Sequence, residues 1–134
     1  MEPKKTAAHA EEFRLVLSPN RGAGFRARQA VRQRFSILPE ATRRDLVAVV
    51  TELVNNSVEH GPGTPITLTV VQGTDSIRGE VADQGNPAVA IPQIKSAAES
   101  EKGGLALVDK LTSRWAVYEG STHVWFEVPL DTQG

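Results

Sequence analysis

Leu46-Val47-Ala48-Val49-Val50-Thr51-Glu52-Leu53-Val54-Asn55-Asn56-Ser57-Val58-Glu59-His60-Gly61 is the stretch on which the reading of this chain turns. Leu46, Val49, Val50, Leu53, Val54 and Ser57 recur at offsets of 3, 4, 7, 8 and 11, which predicts a helix with one core-facing stripe. Pro39 opens the segment in the first-turn position, where its preset φ suits a helix and its missing N–H is not needed. Gly61-Pro62-Gly63 ends it. Off the stripe, Glu52 and Asn56 stand four residues apart, on one face and one turn above the other, and His60 continues the line. A carboxylate and a carboxamide so arranged suit phosphate chemistry: Asn56 offers a neutral oxygen to Mg²⁺, and Glu52 orients or deprotonates a hydroxyl. The same pair, taken alone, also describes an ordinary polar helix surface.

Upstream, Phe13, Leu15 and Leu17 alternate with polar residues until Ser18-Pro19-Asn20, which predicts a short strand. Gly24–Phe35 spaces Phe25, Ala27, Ala30, Val31 and Phe35 as a helix does, with five arginines between Arg21 and Arg34 mostly on its other side, read as a solvated face. Met1–Glu11 is charged, lacks apolar spacing and reads as a tail, with Lys4, Lys5 and His9 solvated. Downstream, Pro65–Val71 and Ile77–Ala82 are β-rich runs either side of Gly73-Thr74-Asp75, a predicted hairpin. Asp83–Lys102 reads as a loop, and loops of that length in small domains are usually functional. Gly103-Gly104 leads into a helix carrying Leu105, Leu107, Val108 and Leu111, followed by strands over Arg114–Glu119 and Thr122–Leu130 joined at Gly120-Ser121.

The order β-α-α-β-β-loop-α-β-β predicts a two-layer α/β (α+β) sandwich, with helices on one face of a mixed, largely antiparallel sheet. A chain of 134 residues fits one domain, here residues 12–131, with 132–134 a second tail. Fifteen basic and sixteen acidic side chains nearly cancel, so no overall field draws the chain onto nucleic acid or an anionic membrane. The lack of cysteine excludes disulfides, thiolate metal sites and a cysteine nucleophile. With no run of about 18 apolar residues and no signal-like leader, the expectation is a cytoplasmic protein. Trp115 and Trp125 sit in strand patterns and read as core or edge packing before interface anchors.

Two further segments carry chemistry. In Val81-Ala82-Asp83-Gln84-Gly85-Asn86-Pro87, Asp83 stands where a strand ends. Its carboxylate can accept a hydrogen bond from an exocyclic amine, and Gly85 lets a flat base approach the backbone. In Lys102-Gly103-Gly104-Leu105-Ala106-Leu107 a glycine pair opens a helix, where free N–H groups and the helix dipole favour an anion. Singly, these segments are also what a turn and a plain helix start look like.

Their order, contexts and the terminal Gly120–Leu130 segment together resemble one family. Glu52–Gly61 resembles the N box of the histidine-kinase-like (GHKL, or Bergerat-fold) ATPases, the superfamily of sensor kinases and DNA gyrase. Asp83-x-Gly85 resembles its adenine-binding G1 box, and Gly103-Gly104-Leu105-Ala106-Leu107 its glycine-rich G2 box. The likeness runs from about Phe13 to Leu130. The short G1–G2 loop, the small size and the lack of a phosphoacceptor helix pair are similar to the anti-sigma-factor serine/threonine kinases of bacteria. That resemblance implies that Asn56 ligates Mg²⁺, that Asp83 binds the adenine amino group with Gly85 beside the ring, and that Glu52 is the catalytic base or orienting group. It also implies that Lys102, Gly103, Gly104 and Leu105 meet the phosphates of ATP and that Thr122 lies near the adenine. His60 matches a frequent family position, where helix capping or packing is an equal alternative. Ser57 stands where the family often has Ala, Lys102 where some relatives have Gly, and Ala106 where Gly is frequent. The implied partners are an anti-anti-sigma factor of STAS type as phosphoacceptor, a sigma factor held inactive, and a second copy of the chain. A regulatory module that binds nucleotide without phosphorylating is the alternative; a nucleic-acid role for the Arg21–Arg34 helix is disfavoured by the charge balance.

Overall fold

The structure is a computed structural model describing residues 12–83, 92–93, 105–118 and 123–130. In chain order its elements are β1 (Glu12–Leu17), α1 (Ala23–Arg34), α2 (Glu40–His60), β2 (Ile66–Gln72), β3 (Ser76–Ala82), β4 (Pro92–Gln93), α3 (Leu105–Leu111), β5 (Arg114–Tyr118) and β6 (Val124–Pro129). The strands form one sheet in the order β1-β2-β3-β6-β5-β4. Every pairing among the described residues is antiparallel, so the parallel component expected of a mixed sheet is missing there. The two-residue β4, paired with Val117 and Tyr118 of β5, falls inside the segment read as loop. Prolines and polar clusters hide so short an edge strand from any pattern.

Period-two alternation decides the layers. Ile66, Leu68 and Val70 of β2, Ile77 and Val81 of β3, Trp115 and Val117 of β5, and Val124, Phe126 and Val128 of β6 are buried on one face. The stripe of α2 packs there: Leu46, Val49, Val50, Leu53, Val54 and Ser57 are all buried. α1 joins it through Ala23, Ala27, Val31 and Phe35, and α3 through Val108. Pro39 occupies the N-cap of α2, one position before the helix proper. Arg43 steadies the α1–α2 turn, donating from Nη1 to the carbonyls of Ser36 at 3.0 Å and Leu38 at 3.1 Å.

Gly79 is required by packing. It pairs with Phe126, which is fully buried, and a Cβ on Gly79 would lie 2.7 Å from Phe126 Cε2 and closer still to Cζ. Trp115 is core, 3% exposed, and its indole N–H donates to Asp109 Oδ1 of α3 at 2.8 Å. Trp125 sits half-buried on the outer face, flanked by the guanidinium groups of Arg78 and Arg114 at 5.4 and 5.6 Å from its ring. Among the described residues no helix is long and apolar enough to cross a membrane.

Candidate functional site

The sheet and α2 meet most closely, in chemical terms, at Asp83. This residue follows directly on β3 and is 1% exposed. Ser57, at the end of the α2 stripe and 2% exposed, donates its hydroxyl to Asp83 Oδ2 at 2.5 Å. Thr64, in the α2–β2 connection, donates to the Asp83 backbone oxygen. A carboxylate removed from water has to be met by a donor; Ser57 supplies one from α2, and Thr64 anchors the adjoining backbone from the α2–β2 connection. The bond to Oδ2 also fixes the plane of the carboxylate and with it the direction of Oδ1, which is shut off from solvent.

Ser57 is the residue that sequence reasoning passed over. In the sequence it stands only as the last member of the core-facing stripe, at a position where the resembled family often has Ala. A hydroxyl at the last position of an otherwise apolar stripe was the available signal, since a buried polar group calls for a partner.

Glu52 and Asn56 lie on α2 and are half-buried, one turn apart; Asn56 adjoins Ser57 in sequence. The neighbouring Asn55 comes against α1, where a Cβ on Gly24 would lie 2.9 Å from Asn55 Cγ, so glycine at position 24 lets the two helices close up beside this stretch. His60, the last residue of α2, is exposed and pairs with Glu59 at 3.5 Å, a solvated contact at the helix end. Leu105 opens α3 and packs half-buried against the core. Gly85, Lys102, Gly103, Gly104 and Thr122 lie outside the described residues.

Among the described residues no group of three His, Cys, Asp or Glu could cage a metal ion. A magnesium ion carried by a triphosphate needs only one or two protein oxygens, and the half-buried Asn56 carboxamide fits that demand. An acceptor-only carboxylate held in place by Ser57 likewise fits an exocyclic amine.

A second cluster lies on the outer face of the sheet, opposite α2. A cavity of about 370 Å³ there is lined by Thr69, Val71, Arg78, Gly79, Glu80 and Trp125. Glu127 takes an ion pair from Arg78 at 3.0 Å and another from Arg114 at 4.0 Å. His123 Nε2 bonds Glu80 Oε2. That bond, aided by the charges of His123 and Arg78 and opposed by partial burial, holds the Glu80 carboxyl below the usual glutamate range. None of the anticipated site residues belongs to this cluster.

A profile of the histidine kinase-like ATPase domain matches residues 20–128, and the chain belongs to that family. Among solved structures it is similar to the RsbU and RsbW domains of Rv1364c from Mycobacterium tuberculosis, with a TM-score of 0.65 and 21% identity. The match covers 89% of this chain and 31% of that one, and at such identity the likeness is one of fold. Comparison with curated protein sequences gave no match.

Proposed function

We propose that this chain binds Mg·ATP and transfers the γ-phosphoryl group to a serine or threonine of a partner protein, as an anti-sigma-factor kinase that also holds a sigma factor inactive. One observation carries the reading. The hydrogen bond from Ser57 to the buried Asp83 joins the two elements whose motifs would bind the two ends of the nucleotide. Membership of an ATPase-domain family supports the nucleotide, and likeness to a chain containing an RsbW domain supports the regulatory branch.

In this reading Asp83 accepts from the adenine amino group, with Gly85 and Thr122 beside the base. Asn56 supplies an oxygen to Mg²⁺, Lys102, Gly103, Gly104 and Leu105 meet the phosphates, and His60 adds a contact from the end of α2. Bound magnesium would neutralise charge on the phosphates. The acceptor oxygen forms its bond to the γ-phosphorus while the bond to the β-phosphate oxygen breaks, ADP leaves, and Glu52 receives or orients the hydroxyl proton. Such transfer depends mainly on positioning and charge stabilisation. The phosphoacceptor is an anti-anti-sigma factor of STAS type, and the working unit is a homodimer.

The test incubates the full chain with γ-labelled ATP and a panel of STAS-type proteins. Labelling of one of them is expected, and Glu52→Gln should retain nucleotide while losing about a hundredfold or more in transfer rate. Transfer undiminished in Glu52→Gln would make that residue structural. Nucleotide binding without any labelled protein would favour a regulatory module that does not phosphorylate.

A further inference from the structure

The first turns of α2 face the middle of α1 across a cleft of about 210 Å³ lined by Arg28, Arg32, Glu40, Arg43, Arg44 and Val47. Four guanidinium groups surround it against one carboxylate, in a chain whose overall charge is −1. Arg43 is committed to the carbonyls of the α1–α2 turn. Arg28 stacks against Phe25, 5.7 Å from the ring centroid, and its Nε is buried with no hydrogen-bond partner. Among the described residues Arg28, Arg32 and Arg44 form no ion pair. Buried polar groups are normally satisfied, and four like charges gathered around a single carboxylate repel, so the arrangement is incomplete as it stands.

We propose that this cleft docks an acidic segment of a partner protein. Arg28 and Arg32, at i and i+4, offer donors one helical turn apart, matching two carboxylates at the same spacing, with Arg44 closing on them from α2. Guanidinium forks bind carboxylates in pairs of hydrogen bonds. Val47 gives the cleft an apolar floor for the stems of the incoming side chains. Two exposed apolar residues flank it: Phe25, 57% exposed, beside Arg28, and Ile37, 93% exposed, in the turn that Arg43 grips. Exposed apolar groups beside arginines suit a protein surface. A nucleic-acid backbone fits less well, because the recess is small, Glu40 sits on its wall, and no chain-wide positive field would draw in a polyanion. The inference stands apart from the nucleotide reading, since none of these residues belongs to the proposed ATP site.

The test measures fluorescence anisotropy of a labelled alanine-based helical peptide carrying two glutamates one turn apart, titrated with the full chain. Binding is expected to fall about tenfold or more in Arg28→Glu/Arg32→Glu, and to return when that variant meets a peptide with lysines in place of the glutamates. Arg44→Glu gives a second, independent loss should the double variant fail to fold. Equal binding of a glutamine version of the peptide, or binding unchanged by these substitutions, would overturn the proposal. Displacement of the peptide by inorganic phosphate or a single-stranded oligonucleotide at lower concentration than by free glutamate peptide would overturn it too, by making the cleft a phosphate site.

Discussion

Replacing Ser57 with alanine removes the hydroxyl that donates to Asp83 Oδ2. Donor and acceptor are 2% and 1% exposed and 2.5 Å apart, which is the short, charge-assisted end of the range. Alanine is smaller than serine and adds no atom to the site, so the loss reports the hydrogen bond. A bond to a charged group contributes about 1.5–3 kcal/mol. For a chain of this size that lowers the melting temperature by about 5–10 °C. The assay is urea denaturation of Ser57→Ala, Asp83→Ala and the double variant. Coupling of at least about 1 kcal/mol is expected between the two sites. Additivity within about 0.3–0.5 kcal/mol, the behaviour of independent positions, would refute the claim that this bond joins the end of β3 to α2.

Three further outcomes follow from the packing and electrostatics. Gly79→Ala drives a methyl group into the buried ring of Phe126, and overpacking of this kind should cost roughly 1–3 kcal/mol by thermal melting. Asp109→Leu leaves the buried Trp115 indole N–H without its acceptor, so a loss of about 1–3 kcal/mol is expected, while Asp109→Asn, which keeps an oxygen, should lose less. The lowered Glu80 pKa means that the folded state favours the carboxylate. Its contribution is therefore present above the unfolded glutamate value and lost as pH falls through the lowered folded value. With the side chain 42% exposed, screening limits that contribution to under about 1 kcal/mol. The stability gap between the parent protein and Glu80→Gln should close with acidification over that window in pH-dependent denaturation curves.

The elements built on strong periodicity were legible in the sequence. The stripe from Leu46 to Ser57 located α2, alternation located the β2–β3 hairpin around Gly73-Thr74-Asp75, and the burial of Trp115 agrees with core packing. Strand order was not legible, because alternation says which face a side chain takes but not which strand lies beside it. Thus the pairing of β1 with β2 across two helices, and of β3 with β6, comes only from the structure. The bond between Ser57 and Asp83 spans 26 residues and leaves no local trace beyond a hydroxyl on an apolar stripe. The arginines of α1, read as a solvated face, divide in the structure. Arg26 folds back onto Asn20 Oδ1 and the Ser18 carbonyl, while Arg28 and Arg32 turn to the cleft shared with α2. Such divisions depend on tertiary neighbours, which helical spacing does not specify.

The central claim, that Asp83 is the base-recognising group of an ATP site joined to α2, is tested most directly by calorimetric titration of Mg·ATP into the parent protein and Asp83→Asn. The amide oxygen can still accept from Ser57, so the fold should survive with a melting curve close to the parent's. Its NH₂ would then face the adenine amino group, donor against donor. Losing a hydrogen bond to a charged group, about 1.5–3 kcal/mol, raises Kd by at least about tenfold. Equal affinity in the folded variant would contradict the account.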